Sequence, residues 1–420
     1  MKSFRIFPPE EILETTVTLP ASKSIGVRAL ILNWLAGEKP AGSTCSDTDV
    51  TAEILAGGLP ADGSELNVAD AGTAMRFLTA LCAASEGCRC TLRGTERMHH
   101  RPIGPLVHVL RLLGADIEYL GEEGFPPLRI TGRKLSGGTV DIDVSDSSQY
   151  VSALMLIAPL LDAPLNIRLL GDAHATPYIR MTAEMMRRRG AEVDFERDKV
   201  EISCPRPLKA ISDAEPDWSA AAFWYEIAAL TAGWVTITGL SEDSIQGDKA
   251  ISALFERLGV LTEFTEDGAE LSATPDLWSN LDADLSDIPD AAPSLVVTCC
   301  LAGIPFRLTG VGSLRHKECD RLAALTEEMA KIGCLLETEA YGTCLTWDGR
   351  RVPVRELPVF DAHADHRMAM ALAPVAVFVP GIVIEDVEVV GKSYPAFWQD
   401  LEAAGFTLAD PSAPLPQAEE

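Results

Sequence analysis

A glycine that closes an apolar run returns along this chain at a nearly fixed interval: Gly114, Gly190, Gly259, Gly333 and Gly405, spaced 76, 69, 74 and 72 residues apart. The phrases around the first four, RLLGADIE, RRRGAEVD, ERLGVLTE and KIGCLLE, read as a helix that ends on a C-terminal Gly and turns into a strand. A second landmark keeps step. Apolar segments with polar heads begin near Thr73, Ser148, Ser219, Ala291 and His366, at spacings of 75, 71, 72 and 75 residues. These heads are predicted helix N-termini. One more copy starts at SKSIGVRALIL, whose Lys23 lies 50 residues before Thr73, so the first unit is expected to be shortened. Six units then fill the chain. Periods this long belong to supersecondary modules rather than to thin solenoids, so two globular halves of three α/β units each are expected.

Helix N-termini carry unpaired N–H groups and about half a positive charge, so several aimed at one place form an anion site. The residues at the predicted starts suit that use: Lys23, Ser24 and Arg28; Gly72, Thr73 and Arg76; Ser147, Ser148 and Gln149; Asp290; His366 and Arg367. Ser and Asp are ordinary caps. Cations in a first turn oppose the dipole unless an anion neutralises them, and three starts carry cations.

A net charge of −27 argues against nucleic acid and anionic membrane as partners, since either would want a basic face. A small anion remains compatible, provided the scarce cations gather in one place. The ten Cys residues show no CxxC pair, and no HExxH occurs, so neither a structural metal nor a disulfide framework is expected. The start MKSFRIFPPE has no long apolar stretch, which points to the cytoplasm. A monomer is expected. Polar breaks at TLPASKS and at ISDAEPD near Asp213 read as hinges, giving an N-terminal domain over 21–212 and a C-terminal domain over 213–420 joined by residues 1–20. The binding cleft is expected between them.

Eight segments then become specific together: PASKSIGVRALIL, DAGTAMRFLTAL, RPIGPL, SSQYVSALM, DIPDAAPSL, KECDRL, DHRMAMALA and GKSYP. Their content and order resemble the EPSP synthase family, the 3-phosphoshikimate 1-carboxyvinyltransferases. The resemblance runs from Ser22 to Pro395. It implies a two-domain inside-out α/β barrel in which each domain holds three βαβαββ repeats with helix N-termini facing an interdomain active-site cleft. It also implies transfer of the enolpyruvyl group of phosphoenolpyruvate to the 5-hydroxyl of shikimate 3-phosphate, with release of phosphate and without cofactor or metal. By match to the family motifs, Asp290 is the proton acceptor and Glu318 the proton donor, with Lys23 also catalytic. Shikimate 3-phosphate would be held by Lys23, Ser24, Arg28, Ser147, Ser148, Gln149, Tyr178, Asp290, Ser313 and Lys317. Phosphoenolpyruvate would be held by Lys23, Gly72, Arg101, Gln149, Arg321, Arg367 and Lys392.

The chain departs from the family pattern at several places. Asp70 stands where Asn is usual, adding a negative charge that Arg76 or Arg101 would have to offset. Ala175 replaces a Ser three residues before Tyr178, removing a hydroxyl contact worth about 1–3 kcal/mol. Ser313 replaces Asn, Phe77 replaces Pro, and Gly26 with Val27 replaces Ser-Asn. Two other readings stay open: the sister transferase acting on UDP-N-acetylglucosamine, and a non-catalytic anion-binding relative.

Overall fold

The structure is a computed structural model that describes residues 2–40, 46–144, 147–171, 176–196, 198–205, 207–212, 214–275, 277–339 and 342–412. The chain divides into two compact units. One comprises Met1–Pro20, Glu215–Ser244 and Asp248–Glu420; the other comprises Ala21–Ala214 and Ile245–Gly247. Each has its own apolar core.

All five closing glycines are left-handed, with φ between 83° and 102°. A side chain there would bring Cβ against the backbone, which is why Gly recurs. Four of them build the same double hydrogen bond onto the preceding helix. Gly114 N donates to Arg111 O and Ala115 N to Leu110 O, and the pattern repeats at Gly190, Gly333 and Gly405. The helices preceding these glycines are Gly104–Leu112, Thr176–Arg188, Ile251–Glu256, Arg321–Ala330 and Phe397–Ala403.

Among the described residues, five four-stranded sheets share one topology, a parallel pair extended by two antiparallel strands. In the second unit these are Glu65–Asn67, Arg89–Arg93, Leu128–Thr131 and Asp116–Tyr119, then Gly138–Asp143, Leu165–Leu170, Lys199–Ser203 and Glu192–Glu196. In the first unit, Leu281–Asp284, Phe306–Thr309, Cys344–Trp347 and Glu337–Thr338 repeat the order. The N-terminal segment completes the other two sheets. Glu14–Val17 runs parallel to Trp234–Thr238, and Phe4–Phe7 lies between Ile382–Glu385 and Thr407–Ala409.

The expected sixth repeat differs. Its residues form two helices, Lys23–Leu35 and Ser46–Gly57, and among the described residues they carry no sheet of their own. The 50-residue interval leaves room for the helix pair but not for the strands that the intervals of 71–75 residues contain.

Strands alternate buried and exposed positions, as in Leu165–Leu170, and so cover a core with one face. The helices at the predicted polar heads behave oppositely. Gly72–Ala84, Gln149–Ile157, Trp218–Thr231, Ala292–Ala302 and His366–Leu372 are buried on almost every side. A helix apolar all round is an interior helix, so its N-terminal turn is where polar groups are brought into the core. Among the described residues, no helix is long and apolar enough to cross a membrane.

Candidate active site

In the first unit the side chains expected at the site converge on Arg321, the first residue of the helix Arg321–Ala330, whose side chain is only 1% exposed. Its Nη1 donates to Asp290 Oδ1 at 2.7 Å and its Nη2 to Glu318 Oε2 at 2.8 Å. Nε donates to Asp365 Oδ2 at 2.7 Å, with Nη2 on Oδ1 at 3.2 Å. One guanidinium thus fixes three carboxylates. Further cations surround them: Lys317 Nζ lies 3.1 Å from Asp290 Oδ1, Arg367 Nη2 3.4 Å from Asp290 Oδ2, and Lys392 Nζ 3.0 Å from Glu318 Oε1.

Local structure explains each placement. Asp365 is the N-cap of the helix His366–Leu372 and accepts from Arg367 N at 2.9 Å, so the cap that starts the helix also anchors Arg321. Asp290 sits in the turn Pro289–Ala291 that leads into the helix Ala292–Ala302. Glu318 lies three residues before Arg321, in the bend that precedes the helix N-cap Asp320.

Burial pushes the Asp290 carboxyl up, but the charges of Lys317, Arg367 and Arg321 outweigh it and hold the group well below the carboxylate range. Asp248 shows the opposite balance. Burial, then the neighbouring charge of Asp290, raises it from 3.8 to about 6, although the Ser219 hydroxyl donates to it at 2.8 Å. The fold therefore favours protonated Asp248. That stabilisation is complete below pH ~4 and is lost as pH rises through about 6. Asp248→Asn is expected to leave stability unchanged at pH 4 and to raise it by up to about 3 kcal/mol at pH 8. Denaturant unfolding of both proteins at the two pH values checks this, and an equal difference at both would contradict it.

In the second unit Arg28, 2% exposed, is held by neutral groups. Its Nε donates to Thr182 Oγ1 at 2.7 Å, Nη2 to Ser152 Oγ at 3.0 Å and Nη1 to Ser24 O at 2.8 Å. The guanidinium lies 5.1 Å from the Phe77 ring centre and 6.0 Å from that of Tyr178. Desolvation lowers its pKa to about 10. A buried cation fixed by hydroxyls and rings keeps its charge available to an anion.

Beside it, the helix Gly72–Ala84 begins against Arg101. A Cβ at position 72 would run into the Arg101 guanidinium, so only Gly permits this approach. Gln149 Nε2 donates to Thr73 Oγ1 at 3.2 Å, while Gln149 Oε1 and Arg101 Nε are buried with no hydrogen-bond partner among the described residues. Ser147 Oγ accepts from Gln149 N, and Ser148 is the N-cap of Gln149–Ile157. Lys23 opens its helix next to Ser24.

The structure therefore assembles Asp290, Lys317, Glu318, Arg321, Arg367 and Lys392 in one group, and Ser24, Arg28, Gly72, Arg101, Ser147, Ser148, Gln149 and Tyr178 around the helix starts of the other unit. Ser313 lies in the turn Gly312–His316 ahead of Lys317 and makes none of these contacts. Among the described residues Asp70 forms no ion pair with Arg101, and the expected offset is not seen in its hydrogen bonding. Its carboxylate accepts from the Thr95 hydroxyl, and Arg76 donates instead to Gly72 O at 3.0 Å. Ala175 lies outside the described residues. The motif reading missed Asp365 and Asp248 as members of the cluster, and Ser152 and Thr182 as the clamps of Arg28. The last two lie one turn beyond Ser148 and Tyr178, a spacing at which a hydroxyl on the same helix face is a readable signal.

Two α/β units, each presenting buried cations at helix starts, define a protein built to hold small anions beside carboxylates. A family model described as EPSP synthase (3-phosphoshikimate 1-carboxyvinyltransferase) matches residues 44–401. A Bacteroides fragilis protein named 3-phosphoshikimate 1-carboxyvinyltransferase is 45% identical, covering 94% of this chain and 96% of the relative. A Methanospirillum hungatei protein of the same name is 34% identical, over 92% and 87%. An EPSP synthase structure from Acinetobacter baumannii shares the fold with a TM-score of 0.74 at 22% identity, covering 97% of this chain and all of that one. The enolpyruvyl transferase NikO from Streptomyces tendae gives 0.74 at 18% identity, over 98% and 100%. The chain belongs to the EPSP synthase family.

Proposed function

We propose that this chain transfers the enolpyruvyl group of phosphoenolpyruvate to the 5-hydroxyl of shikimate 3-phosphate, giving 5-enolpyruvylshikimate 3-phosphate and phosphate. It does so as a cytoplasmic monomer without cofactor or metal. The finer architecture belongs to the same reading: an inside-out α/β barrel of two domains, 21–212 and 213–420 with residues 1–20, whose two sets of side chains serve one pair of substrates. The observation that supports it most is the pairing of Asp290 and Glu318 on a single guanidinium.

The reaction needs a base for the hydroxyl proton and an acid for the methylene carbon; the tetrahedral intermediate then loses phosphate as a methyl C–H breaks and its proton returns to the Glu318 carboxylate, re-forming the methylene. Asp290 is held ionised and can accept the proton. Its basicity rises when the substrates' anionic groups draw Lys317 and Arg367 away from it. Glu318 delivers the other proton. Lys392, drawn to the phosphate, leaves Glu318 Oε1 free to carry it, while Arg321 stays fixed by Asp365. Lys23, Arg101 and Arg367 then stabilise the departing phosphate, the Arg forks pairing with its oxygens. Arg28, Ser147, Ser148 and Tyr178 hold the shikimate 3-phosphate.

Gly72→Ala is expected to displace the Arg101 guanidinium and to raise KM for phosphoenolpyruvate about tenfold or more with little change in KM for shikimate 3-phosphate, since only one anion contact is disturbed. Steady-state kinetics with each substrate varied checks it; equal rises in both KM values would contradict it. The function itself is tested by phosphate release from phosphoenolpyruvate with two acceptors. Release with shikimate 3-phosphate supports the proposal. Release only with UDP-N-acetylglucosamine assigns the sister reaction, and release with neither leaves an anion-binding protein.

A further inference from the structure

Three sulfurs meet at the far end of the helix that starts at Gly72. Cys82 lies in its last turn, and Cys88 and Cys90 flank Arg89 at the head of the strand Arg89–Arg93, two residues apart and so on one face. The Sγ atoms lie within 4.8 Å of one another, and the residues are 0%, 3% and 1% exposed. The turn between them is short, with Ser85 N donating to Cys82 O and Cys88 N to Ser85 O, which ties the helix end to the strand head. The thiols also contact each other. Hydrogen bonding from Cys82 holds the Cys88 thiol below its ordinary range, while contact with Cys88 pushes Cys82 up.

Charge and ligand number decide what such a site accepts. Among the described residues, no fourth His, Cys, Asp or Glu joins the group, and zinc prefers four ligands. Three thiolates around a monovalent soft ion would leave a double negative charge in an apolar interior, which is costly. Three thiolates around a trivalent centre leave none. Soft sulfur ligands favour thiophilic ions, and a trivalent pyramidal centre needs only three of them. We infer that Cys82, Cys88 and Cys90 form a binding site for trivalent arsenic. This assignment does not depend on the proposed reaction.

The chemistry is a condensation. Neutral arsenous acid carries three As–O bonds. At each step one S–H and one As–O bond break, one As–S bond forms, and the thiol proton leaves with the hydroxyl as water. Three steps release three waters, and arsenic stays trivalent throughout. Cys88, next in the chain to the exposed Glu86–Gly87, makes the first bond. Entry is through the Ser85–Gly87 turn, where Glu86 and Gly87 are exposed.

The test uses the full chain, reduced and then treated with arsenite. Native mass spectrometry is expected to show a gain of one arsenic less three hydrogens, and X-ray absorption to show three As–S and no As–O contacts. Cys82→Ala, Cys88→Ala and Cys90→Ala are each expected to abolish that three-sulfur centre, and only the unsubstituted chain is expected to melt at higher temperature with arsenite. An unmodified mass overturns the assignment. So does a centre with two sulfurs and an oxygen in the unsubstituted chain, or an undiminished three-sulfur centre in any variant, which would place the arsenic on other cysteines such as Cys299 and Cys300. The absorption result on the unsubstituted chain decides the matter even if a variant fails to fold.

Discussion

Glu318→Gln lowers kcat by about 10²–10⁴-fold, the range expected for loss of a positioned general acid, while both substrates bind nearly as before. The amide keeps the size of the side chain, and its one oxygen can still accept from Arg321 Nη2, now 2.8 Å from one carboxylate oxygen, while Lys392 Nζ, 3.0 Å from the other, loses its acceptor and is released toward the phosphate. What it cannot do is release a proton to carbon. A loss confined to kcat marks an interaction made only in the transition state, whereas a rise in KM alone would reassign Glu318 to holding Lys392. Single-turnover kinetics with measured substrate dissociation constants separates the two, and a retained rate removes Glu318 from the chemistry.

Arg321→Met has the largest expected effect on the fold. The guanidinium is the common partner of Asp290, Glu318 and Asp365, and Asp365 is fully buried. Removing it leaves three carboxylates facing one another, with Lys317, Arg367 and Lys392 reaching only the outer two. Breaking a buried charge pair in this way costs about 3–5 kcal/mol. Asp365 is held below its ordinary range chiefly because Arg321 outweighs burial, so without Arg321 the balance reverses and the carboxyl takes up a proton at higher pH. The variant should therefore be least stable near neutral pH and recover part of the loss in acid. Denaturant midpoints at pH 5 and pH 8 read this directly; a loss below about 1 kcal/mol at pH 8 would mean that the cluster is not held by Arg321.

The repeat was legible because it is written in backbone chemistry. Gly at the left-handed position after a helix cannot be exchanged cheaply, so five such positions kept the period visible without any contact being known. The polar heads were legible for a related reason: a buried helix carries its unpaired N–H groups in its N-terminal turn, and the residues chosen there are those that handle charge. The short interval before Thr73 signalled that the first repeat had lost something without saying what, since 50 residues could equally have kept the strands and dropped a helix.

Side-chain partners were less accessible. Arg28 takes its hydroxyl clamps from Ser152 and Thr182, which lie 124 and 154 positions away. Asp365 reaches Arg321 across 44 positions. Spacing reveals neighbours on one helix, but it says nothing about which helix start lies next to which. Asp70 shows the same gap: its charge was plain in the sequence, while the Thr95 hydroxyl that meets it was not.

The most direct test is to run the reaction in deuterium oxide and find where the label goes. If Glu318 protonates the methylene carbon, that carbon becomes a methyl group before phosphate leaves, and elimination retains deuterium in the product's enolpyruvyl methylene. Deuterium at that carbon, abolished together with turnover in Glu318→Gln, is the predicted result. A product formed at full rate in deuterium oxide with only protium on its methylene would contradict the account, because no proton would have passed from acid to carbon.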